Sequence, residues 1–259
     1  MRHVREMSHL VIGLVSFAAI FGGALLGLFA RRRLPGHQLS SETQSAVTVS
    51  VAVLGTLSAL VLGLMITAAN SSFSARSDEV RELSLQLIRM DHNLRRYGPE
   101  AEDARVKLRA WATTKIRQLF PQKGQPRPSS EETIVKLESV QDAILALTPQ
   151  DERQKYLRPL SLNLSSTMIQ ARWSLEQRTG HSVPIPFLVL LIFWLAIVFA
   201  SFGLFAPANP TAIVALFLCA VAVSGGIYLI EDLDNPRSGF VQISSDSMRK
   251  ALVEIAQEQ

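Results

Sequence analysis

The hydrophobic pattern of the chain is dominated by four long runs that contain no Asp, Glu, Lys or Arg. The runs cover residues 10–30, 46–69, 186–205 and 211–230. A hydrocarbon core about 30 Å thick is crossed by a helix of about 20 apolar residues. The sequence therefore predicts four transmembrane helices.

The segment between the second and third runs has a different pattern. Residues 71–182 hold 18 of the 26 Lys and Arg and 14 of the 22 Asp and Glu. Apolar side chains recur there at helical spacing, as at Val80, Leu83, Leu87 and Met90. Four soluble helices are predicted, over residues 72–97, 99–120, 130–147 and 149–179.

Helix boundaries in this segment are predicted from capping signals. Ser129 and Glu132 fit a capping box, and Thr148 before Pro149 fits an N-cap with a proline at the first helical position. Pro159 is expected to bend or interrupt the last helix. Neither Gly nor Pro occurs between residues 68 and 76, so the second span is expected to continue into the soluble domain as one helix.

The predicted fold is an all-α membrane protein with four transmembrane helices and a helical soluble insert between the second and third. Its parts are an N-terminal membrane hairpin (1–70), a soluble domain (71–182), a C-terminal membrane hairpin (183–231) and a tail with a short amphipathic helix (232–259).

The distribution of positive charge predicts the orientation in a bacterial inner membrane. The link over residues 206–210 has no Lys or Arg, whereas Arg178 and Arg237 flank the same hairpin on its other side. The positive-inside rule then places the soluble domain and both termini in the cytoplasm. Residues 31–33, all arginine, run against this rule, and we expect them to reach the membrane interface.

Small residues mark two of the spans. Gly23 and Gly27 are four residues apart, an interval that lets membrane helices approach closely. The second span repeats this spacing and adds hydroxyl groups. Its candidate pore or helix-packing residues are Ser50, Gly55, Thr56, Ala59 and Gly63. Two interpretations stay open for them: packing inside the bundle, or a face that lines a pore or contacts another subunit.

Catalytic and metal-binding patterns are absent from the sequence. The five histidines are scattered without zinc-ligand spacing, and the single cysteine, Cys219, lies inside the fourth span. There is no phosphate-binding glycine loop and no charged side chain in the four runs of the kind that serves proton relays. We expect no enzyme, no cofactor and no metal requirement.

The charges of the soluble segment are mixed in sign. Its basic excess is about four charges and its aromatic residues are few, so nucleic-acid binding is not expected. Most of these charges are expected on solvated helix faces. A subset formed by Arg105, Lys107 and Arg109 is a candidate for gathering anions or lipid headgroups.

Three carboxylates, Glu231, Asp232 and Asp234, directly follow the fourth span. Carboxylates at a helix C-terminus oppose the helix dipole, so another group should compensate them. They are interpreted either as partners of arginines from the soluble helices or as a weak cation site that needs further oxygen ligands.

The tail carries a recognisable pattern. Leu233-Asp234-Asn235-Pro236, Gly239, Ile243-Ser244 and an amphipathic segment over residues 248–252 resemble the C-terminal signature of the bestrophin-like family of bacterial integral membrane proteins. The resemblance extends to the two membrane hairpins and to an insert that opens with SSFSARSDEVRELSLQLIRMD. Arg237 stands where members usually carry an aromatic residue.

The resemblance implies kinship with bestrophins, which are oligomeric anion channels whose cytoplasmic helices extend the pore. It implies a homo-oligomer in the lipid bilayer that conducts small anions such as chloride, and we expect the second span to line the pore. The alternative is a membrane-anchored helical scaffold that binds a partner and conducts nothing.

Overall fold

The computed structural model describes residues 2–35, 40–121, 125–177, 184–207, 209–234 and 241–257. Every regular element in these ranges is helical. The helices are α1 (Arg2–Arg33), α2 (Ser41–Tyr97), α3 (Glu102–Leu119), α4 (Ser130–Leu145), α5 (Glu152–Gln177), α6 (Ile185–Phe205), α7 (Pro210–Asp234) and α8 (Asp246–Gln257). A 3₁₀ turn, Pro99–Ala101, lies between α2 and α3.

Four of the helices are long and apolar enough to cross a membrane. They are Leu10–Arg33 within α1, Ser41–Tyr97 (α2), Ile185–Phe205 (α6) and Pro210–Asp234 (α7). The predicted all-α fold with four membrane spans is confirmed. The predicted continuity of the second span is confirmed as well, because α2 is a single helix of 57 residues, about 85 Å long at 1.5 Å per residue.

The chain divides into two compact units. One, the membrane unit, comprises Met1–Ser74 and His181–Gln242, and the other, the soluble unit, comprises Ala75–Gly180 and Ile243–Gln259. The tail helix α8 therefore belongs to the soluble unit. Its buried Met248, Ala251 and Ile255 join the hydrophobic core of that unit.

In the membrane unit, α1 packs closely against α6. A Cβ atom added at Gly23 would lie 2.6 Å from the carbonyl oxygen of Ala196, and one added at Gly27 would overlap the carbonyl oxygen of Ala200. The contact moves from Ala196 to Ala200 along α6 as it moves from Gly23 to Gly27 along α1, so the two helices run parallel. Glycine is needed at both positions because backbone meets backbone there.

Helix α7 packs on another side of α1. The ring of Phe217 makes edge contacts with Phe17 and Phe21, with ring centroids 5.6 and 5.5 Å apart. Gly13 of α1 lies against the Tyr228 ring, so α7 runs antiparallel to α1. The helices of the membrane unit share one buried apolar cluster, which includes residues of α2.

In the soluble unit, α2 to α5 form a four-helix bundle. Helix α3 packs on α4, and α4 packs on α5. The buried ion pair of Asp91 and Arg105 joins α2 to α3, and the Gln154 side-chain amide of α5 donates to the backbone carbonyl of Tyr97 at 2.9 Å. Each of these four helices, together with α8, contributes buried side chains to the hydrophobic core of the soluble unit.

The predicted helix boundaries have mixed outcomes. Ser129 caps α4 as predicted, since its hydroxyl accepts from the Glu132 N–H at 2.9 Å. The predicted cap at Thr148 is wrong: Asp151 caps α5 by accepting from the Gln154 N–H at 2.6 Å, and a carboxylate is the stronger acceptor at a helix N-terminus. Pro159 does not interrupt α5. The carbonyl that loses its hydrogen bond belongs to Lys155, and both residues are exposed to water.

Candidate functional site

The membrane-spanning part of α2 presents three different faces. The first, the buried stripe, consists of Val51, Ser58, Met65 and Ala69, all at most 8% exposed. These residues recur at intervals of seven, seven and four, which places them along one side of the helix. This stripe attaches α2 to the rest of the membrane unit.

The second face, the leucine face, is large, apolar and exposed. Val53, Leu57, Leu60 and Leu64 have exposed fractions of 59%, 43%, 60% and 62%. Branched apolar side chains of this size are suited to contact with lipid acyl chains.

The third face, the small face, is also exposed, and the five residues that define it have small or hydroxyl side chains. It consists of Ala52, Thr56, Ala59, Gly63 and Thr67, spaced four, three, four and four residues apart. A Cβ atom added at Gly63 would have nothing within 4 Å. The small face therefore makes no close contact within the part of the chain that the structure describes.

The five candidate residues of this span do not share one face. Thr56, Ala59 and Gly63 lie on the small face, whereas Gly55 lies between it and the buried stripe and also has an open Cβ position. Ser50 is exposed on the side of the leucine face. Packing inside the bundle does not account for Gly55 or Gly63, although it does account for Gly23 and Gly27 of α1.

The hydroxyl groups of α2 bond to their own helix. Thr56 donates to the Ala52 carbonyl and Thr67 to the Gly63 carbonyl, both at 2.9 Å, and Ser50 donates to the Ala46 carbonyl at 3.0 Å. A hydroxyl bonded in this way is satisfied even in an apolar medium. It can also rotate and donate outward when a polar ligand or water reaches the face.

The three carboxylates at the end of α7 are buried. Glu231, Asp232 and Asp234 are 8%, 0% and 5% exposed. Asp232 accepts a hydrogen bond of 2.9 Å from the backbone N–H of Val241, and so fixes the chain that follows α7. The intervening Asn235-Pro236 turn and Gly239 lie outside the described residues.

No metal geometry is evident at these carboxylates. Among the described residues, no group of three or more His, Cys, Asp or Glu side chains is placed to hold a metal ion. The weak cation site and the pairing with arginines both stay predictions for Glu231, Asp232 and Asp234, and each of the three makes further polar or electrostatic interactions.

The arginines that run against the positive-inside rule have local partners. The Arg31 guanidinium donates a hydrogen bond to the carbonyl of Ala206, and Ala206 is the C-cap residue of α6. Arg33 lies over the Phe29 ring, 4.9 Å from its centroid. A cation at the carbonyl end of a helix is stabilised by the dipole. These positions therefore have a structural reason to be basic on either side of a membrane.

The basic residues proposed to gather anions are already paired. Arg105 contacts Asp91 at 3.1 Å and Glu102 at 3.0 Å. Lys107 contacts Asp103 at 2.6 Å, and Arg109 contacts Glu102. The interpretation of Arg105, Lys107 and Arg109 as an anion site is not supported, because carboxylates of α2 and α3 neutralise them.

The pair of Arg105 and Asp91 is a feature that the sequence interpretation missed. Burial by itself lowers the pKa of Arg105, but its hydrogen bond to Asp91 and the charges of Asp91 and Glu102 raise that pKa above its ordinary value. Asp91 occupies a register position of the buried side of α2, between Leu87 and Leu94. A single acidic residue among the apolar residues of a helix face indicates a buried ion pair, and this signal was present in the sequence.

Comparisons with known proteins identify one family. The family model described as Bestrophin-like domain matches residues 18–248, which run from within the first membrane span, through the other three spans and α3 to α5, to the start of α8. No curated protein matches the chain, and no solved structure matches it.

Proposed function

Because this chain belongs to the bestrophin-like family, we propose that it is an oligomeric membrane channel for small anions, with α2 lining the pore. The observation that carries the proposal is the small face of α2. A membrane helix that exposed this face to lipid would gain less dispersion energy than one with leucine there. The face is better suited to contact with other subunits and with a narrow aqueous path.

Permeation in this proposal depends on a constriction and not on fixed charge. Residues 46–69 contain no Asp, Glu, Lys or Arg, so the pore wall is apolar apart from hydroxyls and backbone. Thr56 and Thr67 can turn their O–H groups toward a partly dehydrated anion, while small neighbours leave room for it. A hydrophobic constriction of this kind can open and close by wetting and dewetting.

The soluble unit would act as a cytoplasmic vestibule in a bacterial inner membrane. The 71–182 segment has 18 Lys and Arg against 14 Asp and Glu, and an excess of positive charge around a pore entrance raises the local anion concentration. The uncharged 206–210 link favours this orientation, and the local partners of Arg31 and Arg33 remove the main objection to it. The proposal involves no catalysed reaction.

Reconstitution into liposomes tests the proposal. Wild-type protein should pass chloride faster than potassium, and Ala59→Leu on the small face should abolish the flux or the assembly. The control, Val53→Leu, adds bulk on the leucine face and should conduct like wild type. Folded, assembled wild-type protein without flux would contradict the channel and favour a non-conducting membrane scaffold.

A further inference from the structure

The outward side of α4 forms an acidic face. Glu131, Val135, Glu138, Asp142 and Leu145 recur at intervals of four, three, four and three residues, and all are exposed. The two apolar members are 59% and 50% exposed. This surface combines negative charge with large apolar side chains.

The outward side of α2 in the soluble unit forms a basic face. Leu85, Arg89, His92 and Arg96 recur at intervals of four, three and four residues, and all are exposed. Leu85 is 42% exposed. The only acid between residues 85 and 96 is Asp91, which is buried against Arg105. The basic face thus has the opposite charge to the acidic face and a similar apolar component.

Four charged side chains on the two faces have no ion-pair partner in the part of the chain that the structure describes. In the described ranges, Arg89, Arg96, Glu138 and Asp142 take part in none of the ion pairs. By contrast, Arg105, Lys107 and Arg109 of α3 are paired with carboxylates. Two faces of opposite charge on one molecule can be satisfied together by a second copy.

The position of the faces suits a repeating contact. The two faces lie on different helices of the soluble unit, and their residues are exposed while the opposite sides of the same helices are buried in its core. A contact between two different faces of identical chains is heterologous, and it closes into a ring when the rotation permits. A contact of one face with itself would place like charges together.

We propose that the basic face of one copy of this chain binds the acidic face of the next copy. In this contact Arg89 and Arg96 meet Glu138 and Asp142, and Leu85 packs against exposed apolar side chains of α4. Complementary charges at such a contact determine which faces meet and in which register, because a mismatch places like charges together. The inference rests on the proposed function, since it supplies a contact between subunits that an oligomeric channel requires.

Disulfide trapping tests the pairing directly in the full-length protein. In a Cys219→Ser background, Arg89→Cys and Glu138→Cys chains are produced separately and together in the same membranes. A crosslinked dimer should form only when both chains are present. A dimer from either chain alone, or none from the mixture, would overturn the heterologous pairing.

Charge reversal tests the electrostatic part. Arg89→Glu with Arg96→Glu should reduce the assembled fraction in detergent about tenfold or more, and so should Glu138→Arg with Asp142→Arg. All four changes in one chain should restore assembly. The matched control, Arg249→Glu with Lys250→Glu on exposed positions of α8, should assemble like wild type. Equal loss in the control, or no rescue by the fourfold swap, would refute the inference.

The outcomes separate this inference from the channel. Assembled wild-type protein that is unaffected by reversal overturns the two faces but leaves the channel intact. Assembled wild-type protein that responds to reversal but passes no ions supports the faces and overturns the channel. Monomeric wild-type protein in lipid overturns both.

Discussion

The contact between α1 and α6 permits a quantitative test with a one-methyl change. Gly23→Ala would place a Cβ atom 2.6 Å from the carbonyl oxygen of Ala196. Ordinary contacts of a Cβ atom begin near 3.4 Å, so the two backbones must separate by about 0.8 Å. The carbonyl oxygen of Ala196 belongs to the backbone of α6, so it can move away only if the helix itself moves.

The cost follows from the packing that this separation removes. A gap of roughly 0.5–1 Å forfeits a quarter to a half of the dispersion energy of each contact along the crossing. Overpacking by one methyl group typically costs about 1–3 kcal/mol. The higher helix propensity of alanine returns at most about 1 kcal/mol. We therefore expect a net cost of roughly 0–2 kcal/mol for Gly23→Ala, and a stability about 1–3 kcal/mol lower than that of an alanine substitution that gains the same propensity without overpacking.

Gly22→Ala is the matched control for this change. It lies on the same helix, one residue away, and its added Cβ atom would have nothing within 4 Å. Unfolding of both variants in mixed micelles, followed by circular dichroism across an SDS titration, measures the difference. Equal midpoints for Gly22→Ala and Gly23→Ala would refute the close contact of α1 with α6.

Three further predictions concern the soluble unit and the topology. Asp91→Ala leaves the buried Arg105 guanidinium with Glu102 as its remaining carboxylate partner, so it should cost about 3 kcal/mol of unfolding free energy in the same titration, the lower end of the range for a broken buried pair. The Tyr97 hydroxyl is buried without a hydrogen-bond partner among the described residues, so Tyr97→Phe should leave stability unchanged or raise it by about 1 kcal/mol. Burial raises the pKa of Tyr97 above 10.0, and the folded phenol keeps its proton where the unfolded one loses it. The free energy of unfolding should therefore keep its full value below pH 10 and fall as pH rises above it. This fall should be larger in wild type than in Tyr97→Phe. In a Cys219→Ser background, Pro207→Cys should react with an impermeant reagent outside intact cells and Gln125→Cys should not, and the reverse pattern would invert the topology.

The sequence was sufficient to predict the membrane spans and the helical soluble domain. Long uncharged runs have few alternatives to a membrane helix, because every backbone polar group must be satisfied inside lipid. The continuity of α2 was predictable from the lack of Gly and Pro between residues 68 and 76. The cap at Asp151 was not, because Thr148 before a proline satisfies the same local rules and only the fold selects between them.

The role of the small residues could not be predicted from their spacing. Gly23 and Gly27 have the same interval as Gly55, Ala59 and Gly63, yet the first pair meets α6, whereas Gly55 and Gly63 have no close neighbour among the described residues and Ala59 is exposed. Spacing identifies a surface that permits close approach, whereas the neighbour depends on how the whole unit packs. The pairing of Arg105 likewise depends on Asp91, which is 14 residues away on another helix.

Cysteine accessibility along α2 tests the central claim most directly. In a Cys219→Ser background, Ala59→Cys lies on the small face and Leu60→Cys lies on the leucine face. With the protein in chloride-loaded liposomes, a charged, water-soluble methanethiosulfonate should block flux through Ala59→Cys and leave flux through Leu60→Cys unchanged. Block of Leu60→Cys alone, or of neither variant while both conduct, would contradict a pore lined by the small face of α2.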